Sequence, residues 1–322
     1  MSLMGVDVGT TGVKAVVFAL DGSVLAQAYR EYPLYHPQPG WSELDPREVM
    51  QATKEVIAGA AQQAAADPVR AIGISCQGEA VVPLDAQGNI LFNSPISFDR
   101  RTVPQARYLE EKLGKRRIFD ITGHAVSSIY TMPKLMWLRE HHPEVWKRAR
   151  KFYCYEEMVM HLLGVEPHID YSLAARTLGF DIVKLRWSPE MLAAAEVPVE
   201  AMPPVAPPGT PCGEVSRQIA EQLGLPAGVV VATGAHDQPA TALGAGVIEP
   251  NLGVDGTGTV ECFTVAFAQP VLTDQMLDCQ FPCYNHAHPE MYCTLAWNFT
   301  GGILLRWFRD NFAGEEKRLA QE

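Results

Sequence analysis

Asp237 stands in "GAHDQPATALGAG", residues 234–246, just after the apolar run "GVVVA" at 228–232. A carboxylate closes a strand-like segment and is flanked by Gly and Ala. Small residues let a ligand come close to the backbone. A carboxylate at a strand end that faces a cleft can accept the proton of an attacking hydroxyl. In phosphoryl transfer, positioning and electrostatics do most of the remaining work. The plainer alternative is an N-cap for the helix that "QPATALGAG" would begin.

Two turns offer donors to phosphate. In "DVGTTGVK", Asp7 ends a strand and Gly9, Thr10 and Thr11 form a turn rich in N–H and hydroxyl groups. Such turns wrap phosphate oxygens. Lys14 adds a positive charge, although strand alternation could aim it elsewhere. This is no Walker A loop, which needs a longer glycine loop, Lys-Ser/Thr and an immediate helix. The segment "DGTGT" at 255–259 repeats the offer with Gly256, Thr257, Gly258 and Thr259. Either turn alone is an ordinary hairpin. Two in corresponding places suggest a nucleotide held between two domains.

Polar residues also interrupt or follow apolar strands: Gln77, Gly78 and Glu79 in "SCQGEAVVPLD", and Asp99 and Arg100 in "SFDRRT". Sugar hydroxyls need such donors and acceptors, though solvated turn residues look the same. Cys279, Cys283, His286, His288 and Cys293 concentrate metal-ligating types. Their spacing fits no standard zinc pattern, so a hairpin with buried cysteines is the better reading.

The elements that must position these groups alternate between strand and helix, which argues an α/β fold. "LMGVDV", "VKAVVFAL" and "SVLAQAYREY" read as a β-meander with a hairpin signal at Asp21-Gly22. Asp45 and Pro46 open a helix over "REVMQATKEVIAGAAQQAAA". "VRAIGISCQ" and "GVVVATGAHD" read as buried strands. "MPKLMWLREHHPEVWKRAR", "YEEMVMHLLG" and "EVSRQIAEQLGLP" read as helices, with Gly164 stopping the second. The proline-rich 201–213 reads as an extended connection, and strands dominate again after residue 246. The pattern divides the chain into 1–245 and 246–322.

Of the 322 residues, 47% are hydrophobic, enough for two domains with a sizeable core. A net charge of -11 disfavours nucleic acid and anionic membranes as partners. Seven scattered cysteines do not form a disulfide framework. The start "MSLMGVDVG" is no signal peptide, and no apolar run would span a bilayer. These features predict a cytoplasmic protein.

Taken in order along the chain, the segments resemble the FGGY carbohydrate kinases, which include xylulokinase and glycerol kinase. "MGVDVGTTGVKAVVFALDG" is similar to that family's first phosphate motif. "AIGISCQGEAVVPLDAQGNIL" and "SPISFDRRT" are similar to its acceptor strands. "TGAHDQPATALGAG" resembles its catalytic segment, and "DGTGT" its second phosphate loop. The resemblance implies an actin-like, ribonuclease-H-like fold of two domains, with ATP and Mg²⁺ in the cleft. It implies phosphorylation of a sugar or polyol hydroxyl, with a pentulose-like ketose as acceptor. Asp237 would be the general base and Gln238 would touch the same substrate. Asp7 would orient hydrated Mg²⁺. Gly9, Thr10 and Thr11 would meet the phosphates, with Gly256, Thr257, Gly258 and Thr259 opposite. A homodimer is compatible with this reading. The alternatives are a glycerol or other polyol kinase, or a non-catalytic or ATPase protein on the same fold.

Some positions depart from the family's patterns. Gly78-Glu79 replaces the Arg-Glu pair of glycerol kinases, Ser97-Phe98 replaces a Trp, and Ile129 stands for a pocket Tyr. Xylulokinases commonly carry Met-His at 78–79 and Asn at 238. A pocket wider than that of glycerol kinase is expected. The resemblance also implies that the adenosine-binding part of the second domain is not among these residues. The polypeptide alone is therefore predicted to bind ATP weakly and to lack kinase activity.

Overall fold

The computed structural model describes residues 1–257, 261–298 and 300–313. Gly258 and Thr259 of the second phosphate turn lie outside the described residues. A six-stranded mixed sheet organises the first part of the chain. Its members are β1 (Ser2–Val8), β2 (Gly12–Ala19), β3 (Val24–Glu31), β4 (Val69–Cys76), β5 (Pro211–Glu214) and β6 (Val230–His236), in the order β5-β6-β4-β1-β2-β3. The meander β1–β2–β3 is antiparallel, whereas β4 runs parallel to β1 and β6 parallel to β4.

Period-two patterning sets the two faces. Met4, Val6 and Val8 are buried, while Leu3, Gly5 and Asp7 point the other way. The first face lies under α1 (Pro46–Gln63), whose Val49, Val56, Ile57 and Ala60 recur at helical spacing. Asp45 caps this helix by accepting from the Arg47 N–H at 2.9 Å. On the other face, Lys14 sits directly across from Asp7 in register. A groove of about 570 Å³ runs there past Asp7, Lys14 and Ser75 to Ala240 and Leu243.

One expected helix is two. The segment starting at Thr131 forms α2 (Thr131–His141), and Pro143–Arg148 is separate. Pro143 disfavours the α conformation at His142, which sits at φ -132° and ψ 60°. Next comes α3 (Tyr155–Leu162), and α4 (Asp237–Gly244) follows β6 without a loop.

A second, antiparallel sheet holds β7 (Gly253–Thr257), β8 (Glu261–Phe267), β9 (Tyr284–Asn285) and β10 (Tyr292–Asn298), in the order β7-β8-β10-β9. Tyr284, Cys293 and Leu295 from this sheet join the main core. Gly123 allows the two halves to meet at backbone distance. The Cys283 N–H donates to the Gly123 carbonyl at 2.8 Å, and a Cβ on Gly123 would lie 1.7 Å from the Cys283 oxygen. The helix α5 (Gly302–Phe312) follows β10. No helix among the described residues is long and apolar enough to cross a membrane.

Candidate active site

The site is built where β1, β4 and β6 end side by side. Strand β6 reaches this point through an irregularity between Ala232 and Ala235. Gly234 occupies it because a Cβ there would lie 1.8 Å from the Ile74 carbonyl oxygen of β4. The Gly234 N–H donates to Glu156 of α3 at 2.6 Å, and the other Glu156 oxygen accepts from the Asp170 N–H at 2.9 Å. Asp170 accepts from the Ser172 N–H, and the Ser172 hydroxyl oxygen accepts from the His236 N–H at 2.9 Å. Burial and the neighbouring Asp170 charge hold Glu156 well above the usual carboxylate range. The strand end is therefore pinned from behind before the acid appears.

Asp237 is the first residue of α4, and the cap position belongs to His236. The acid does not serve as that helix's N-cap. Its Oδ1 is buried and has no hydrogen-bond partner among the described residues, while about a third of the side chain stays open. Burial pushes its pKa up to about 7, helped by the charges of Asp7 and Glu79 and opposed by Arg176 and Gln238. A carboxylate tuned to neutrality serves well as a general base.

Asp7 lies at the open end of β1 and accepts from the Ser75 hydroxyl at 2.9 Å. Its dense surroundings raise its pKa, offset by Ser75 and Lys14. The turn that follows is closed by the Gly9 N–H donating to Gly12 at 3.0 Å. Gly12 cannot carry a side chain, since its Cβ would meet the Arg30 oxygen and the Tyr29 hydroxyl at 2.7 Å. The Gln77 amide braces this turn: its nitrogen donates to the Gly9 carbonyl at 3.0 Å, and its oxygen accepts from the Thr10 hydroxyl at 3.1 Å. The N–H groups of Thr10 and Thr11 have no partner among the described residues. Opposite, Cys262 on β8 feels the Asp237 charge and pairs with Gly256, so Gly256 and Thr257 at the end of β7 border the same space.

Gly78 has no room for a side chain. A Cβ there would lie 2.9 Å from His236 Cδ2 and 3.4 Å from Arg176 Cβ. Glu79 is left-handed at φ 67°, which turns its carboxylate inward. That carboxylate takes the Ser97 hydroxyl and the Arg176 guanidinium. Its carbonyl accepts from Thr131 and from Lys134, each at 3.0 Å. Burial lowers the Lys134 ammonium to about 8 despite the favourable Glu79 charge. Arg176 itself lies 5.1 Å from the Tyr130 ring and 5.7 Å from Tyr284.

Asp99 is engaged by partners within the protein. Its buried carboxylate accepts from the Ser42 N–H at 2.7 Å and from the backbone and guanidinium of Arg101. Arg101 also binds Glu43 at 2.8 Å and stacks 3.7 Å above Trp41. Arg100 is exposed, and its N–H donates to Gly40. The sequence reading missed Arg101, Arg176, His236 and Tyr284. Signals existed for two of them: a cation inside the apolar "SLAARTLGF", and a histidine directly before the acid.

The profile of the "FGGY family of carbohydrate kinases, N-terminal domain" matches residues 2–244. This chain belongs to the FGGY family. It is 28% identical to the xylulose kinase of Bacillus subtilis over 316 residues, covering 98% of this chain and 62% of that protein. It is 30% identical to the autoinducer-2 kinase of Yersinia enterocolitica over 327 residues, covering 99% and 61%. The solved xylulose kinase of Rhodospirillum rubrum superposes with a TM-score of 0.90 at 27% identity, covering 100% of this chain and 66% of that one. The chain thus spans less than two thirds of the curated relatives it matches. Its fold is the actin-like, ribonuclease-H-like fold of these sugar kinases.

Proposed function

We propose that this chain supplies the acceptor side of an ATP-dependent sugar kinase, with Asp237 as general base and a pentulose-like ketose as acceptor. The observation that carries the reading is Asp237 itself. Its carboxylate is partly open, tuned near neutrality, and electrostatically coupled to Asp7 beside the Gly9–Gly12 turn. In this reading Asp237 takes the proton of a sugar hydroxyl as that oxygen bonds to the γ-phosphorus of ATP. The bond from phosphorus to the bridging oxygen breaks, and ADP leaves. Thr10 and Thr11 of the first turn and Gly256 and Thr257 of the second contact the phosphates, and we extend this role to Gly258 and Thr259. Lys14 adds charge on the sheet face beside Asp7.

Asp7 offers hard carboxylate oxygen beside the Ser75 hydroxyl, a donor chemistry that suits Mg²⁺ held through water. Bound there, the ion would neutralise phosphate charge. Glu79 and Gln238 face the acceptor, while Gln77 acts through the turn it braces. We place the domain boundary between residues 245 and 246, at the end of α4.

Arg176 and Tyr130 restore polarity and aromatic surface to the pocket. A site that hydrogen-bonds several hydroxyls rejects analogues lacking them. This favours a ketose over a small triol. The test is a screen of full-length protein with ATP against pentuloses, hexuloses, glycerol and longer polyols. Highest kcat/KM with a pentulose is expected. Best turnover of glycerol would overturn the acceptor class, and ATP hydrolysis independent of any sugar would overturn the kinase reading.

A further inference from the structure

We propose that His236 is the positioning residue for Asp237, and that Tyr284 from the second sheet fixes the ring tautomer in which His236 does this. The inference rests on the assignment of Asp237 as base and adds what holds that base. Three observations carry it. Asp237 Oδ1 is buried and unsatisfied among the described residues, and His236 Nε2 lies 3.2 Å away without reaching hydrogen-bond geometry. The other ring nitrogen, Nδ1, lies 3.1 Å from the Tyr284 hydroxyl. The ring is buried and packs so tightly over Gly78 that a methyl group there would collide with it.

A buried neutral imidazole has one donor and one acceptor nitrogen, and the partner at one nitrogen decides the role of the other. Tyrosine donates readily through its hydroxyl. With Tyr284 O–H donating to Nδ1, the proton sits on Nε2 and points toward Oδ1. Hydrogen bonds of catalytic groups are often slack without substrate and tighten when it binds. Closing the remaining misalignment satisfies Oδ1 and leaves Oδ2 to the sugar hydroxyl. Burial and the Arg176 charge keep His236 neutral, so it donates without adding a full positive charge to the base.

The surroundings matter for any titration. Asp237 faces Asp7 on β1, Glu79 after β4, Arg176, Gln238 on its own helix and Cys262 on β8. His236 faces Arg176 and Tyr284, and Tyr284 in turn faces His124, Arg176 and Cys293. Tyr284 belongs to the second sheet, so the orientation of the base depends on both halves of the chain.

The test uses the 322-residue chain and needs no turnover. Ring ¹⁵N shifts of labelled histidine should show His236 neutral and protonated on Nε2 at pH 7. Tyr284→Phe, which keeps the ring and removes the hydroxyl, should convert that signature to a tautomer mixture. Titration of ¹³C-labelled aspartate should show the Asp237 pKa rising in His236→Phe, because an N–H dipole 3.2 Å from Oδ1 favours the charged carboxylate even before the bond closes. His236→Gln, which retains a donor, should hold it near the parent value. An Nδ1-protonated or charged His236, or an Asp237 titration unmoved by His236→Phe, would overturn the proposal. Failure here is distinct from failure of the base assignment, which the kinetics of Asp237→Asn decide.

Discussion

Asp237 gathers the strongest expectations at the residue scale. In full-length protein, Asp237→Asn keeps the shape and removes the basic oxygen. Sugar-dependent turnover should fall by about 10²–10⁴-fold with melting unchanged. Near-parental turnover in a steady-state assay would remove it from the chemistry. Glu157 is a different kind of acid. It is fully buried, and burial pushes its pKa up to about 8 against the lowering effect of the Glu157 and Cys154 backbone. Its pKa is higher folded than unfolded, so the native state holds the proton where the unfolded chain has lost it. Stability from this group is full below the unfolded pKa of about 4.5 and is lost as pH rises toward 8. Glu157→Gln should abolish that slope. Compared with the parent by urea denaturation, the variant should gain at least about 1 kcal/mol between pH 5 and pH 8. A constant difference across that range would show that Glu157 does not hold a proton.

Elements were legible where pattern and punctuation agreed. The meander announced itself through alternation in β1 and the Asp21-Gly22 turn, and α1 through Asp45 and Pro46. The break at His142 was written in Pro143 but masked by helix-compatible residues on both sides. Asp237 was legible because it stands alone among small residues. Arg176 was not, since it meets Glu79 from 97 residues away. Nor can a one-dimensional pattern tell which of two adjacent arginines turns inward. Arg101 does so because Trp41 and Trp137 make its seat. The β6 irregularity gives an element-scale prediction. Gly234→Ala places a Cβ against backbone rather than a flexible side chain. It should destabilise the fold by roughly 3 kcal/mol or more, or prevent folding. A melting curve within about 2 °C of the parent would contradict the close approach of β6 to β4.

For the molecule as a whole, apolar surface is unevenly distributed. Leu304, Leu305, Trp307, Phe308 and Phe312 of α5 are exposed, as is Phe263 on β8. Contiguous apolar surface of this kind drives association in water. The chain should bind a hydrophobic dye and scatter light increasingly with concentration. Leu305→Lys with Phe308→Glu should reduce both signals and leave the melting temperature unmoved, because neither side chain is buried. Unchanged scattering in light-scattering titrations would assign association to another surface. The two halves share the core through Tyr284, Cys293 and Leu295, so unfolding of the β9–β10 region should not be separable from that of the first sheet.

The close approach between a Cβ at position 78 and the His236 ring ties the size of one site to the shape of the other. A Cβ at 78 and the imidazole at 236 compete for the same space, at 2.9 Å from Cδ2 and 3.0 Å from Nε2, so one of them must shift. Gly78→Ala should be destabilising alone and close to neutral in a His236→Ala background, with a coupling above about 1 kcal/mol in a double-mutant cycle. Additive effects would mean that the ring and a Cβ at 78 do not compete for the same space.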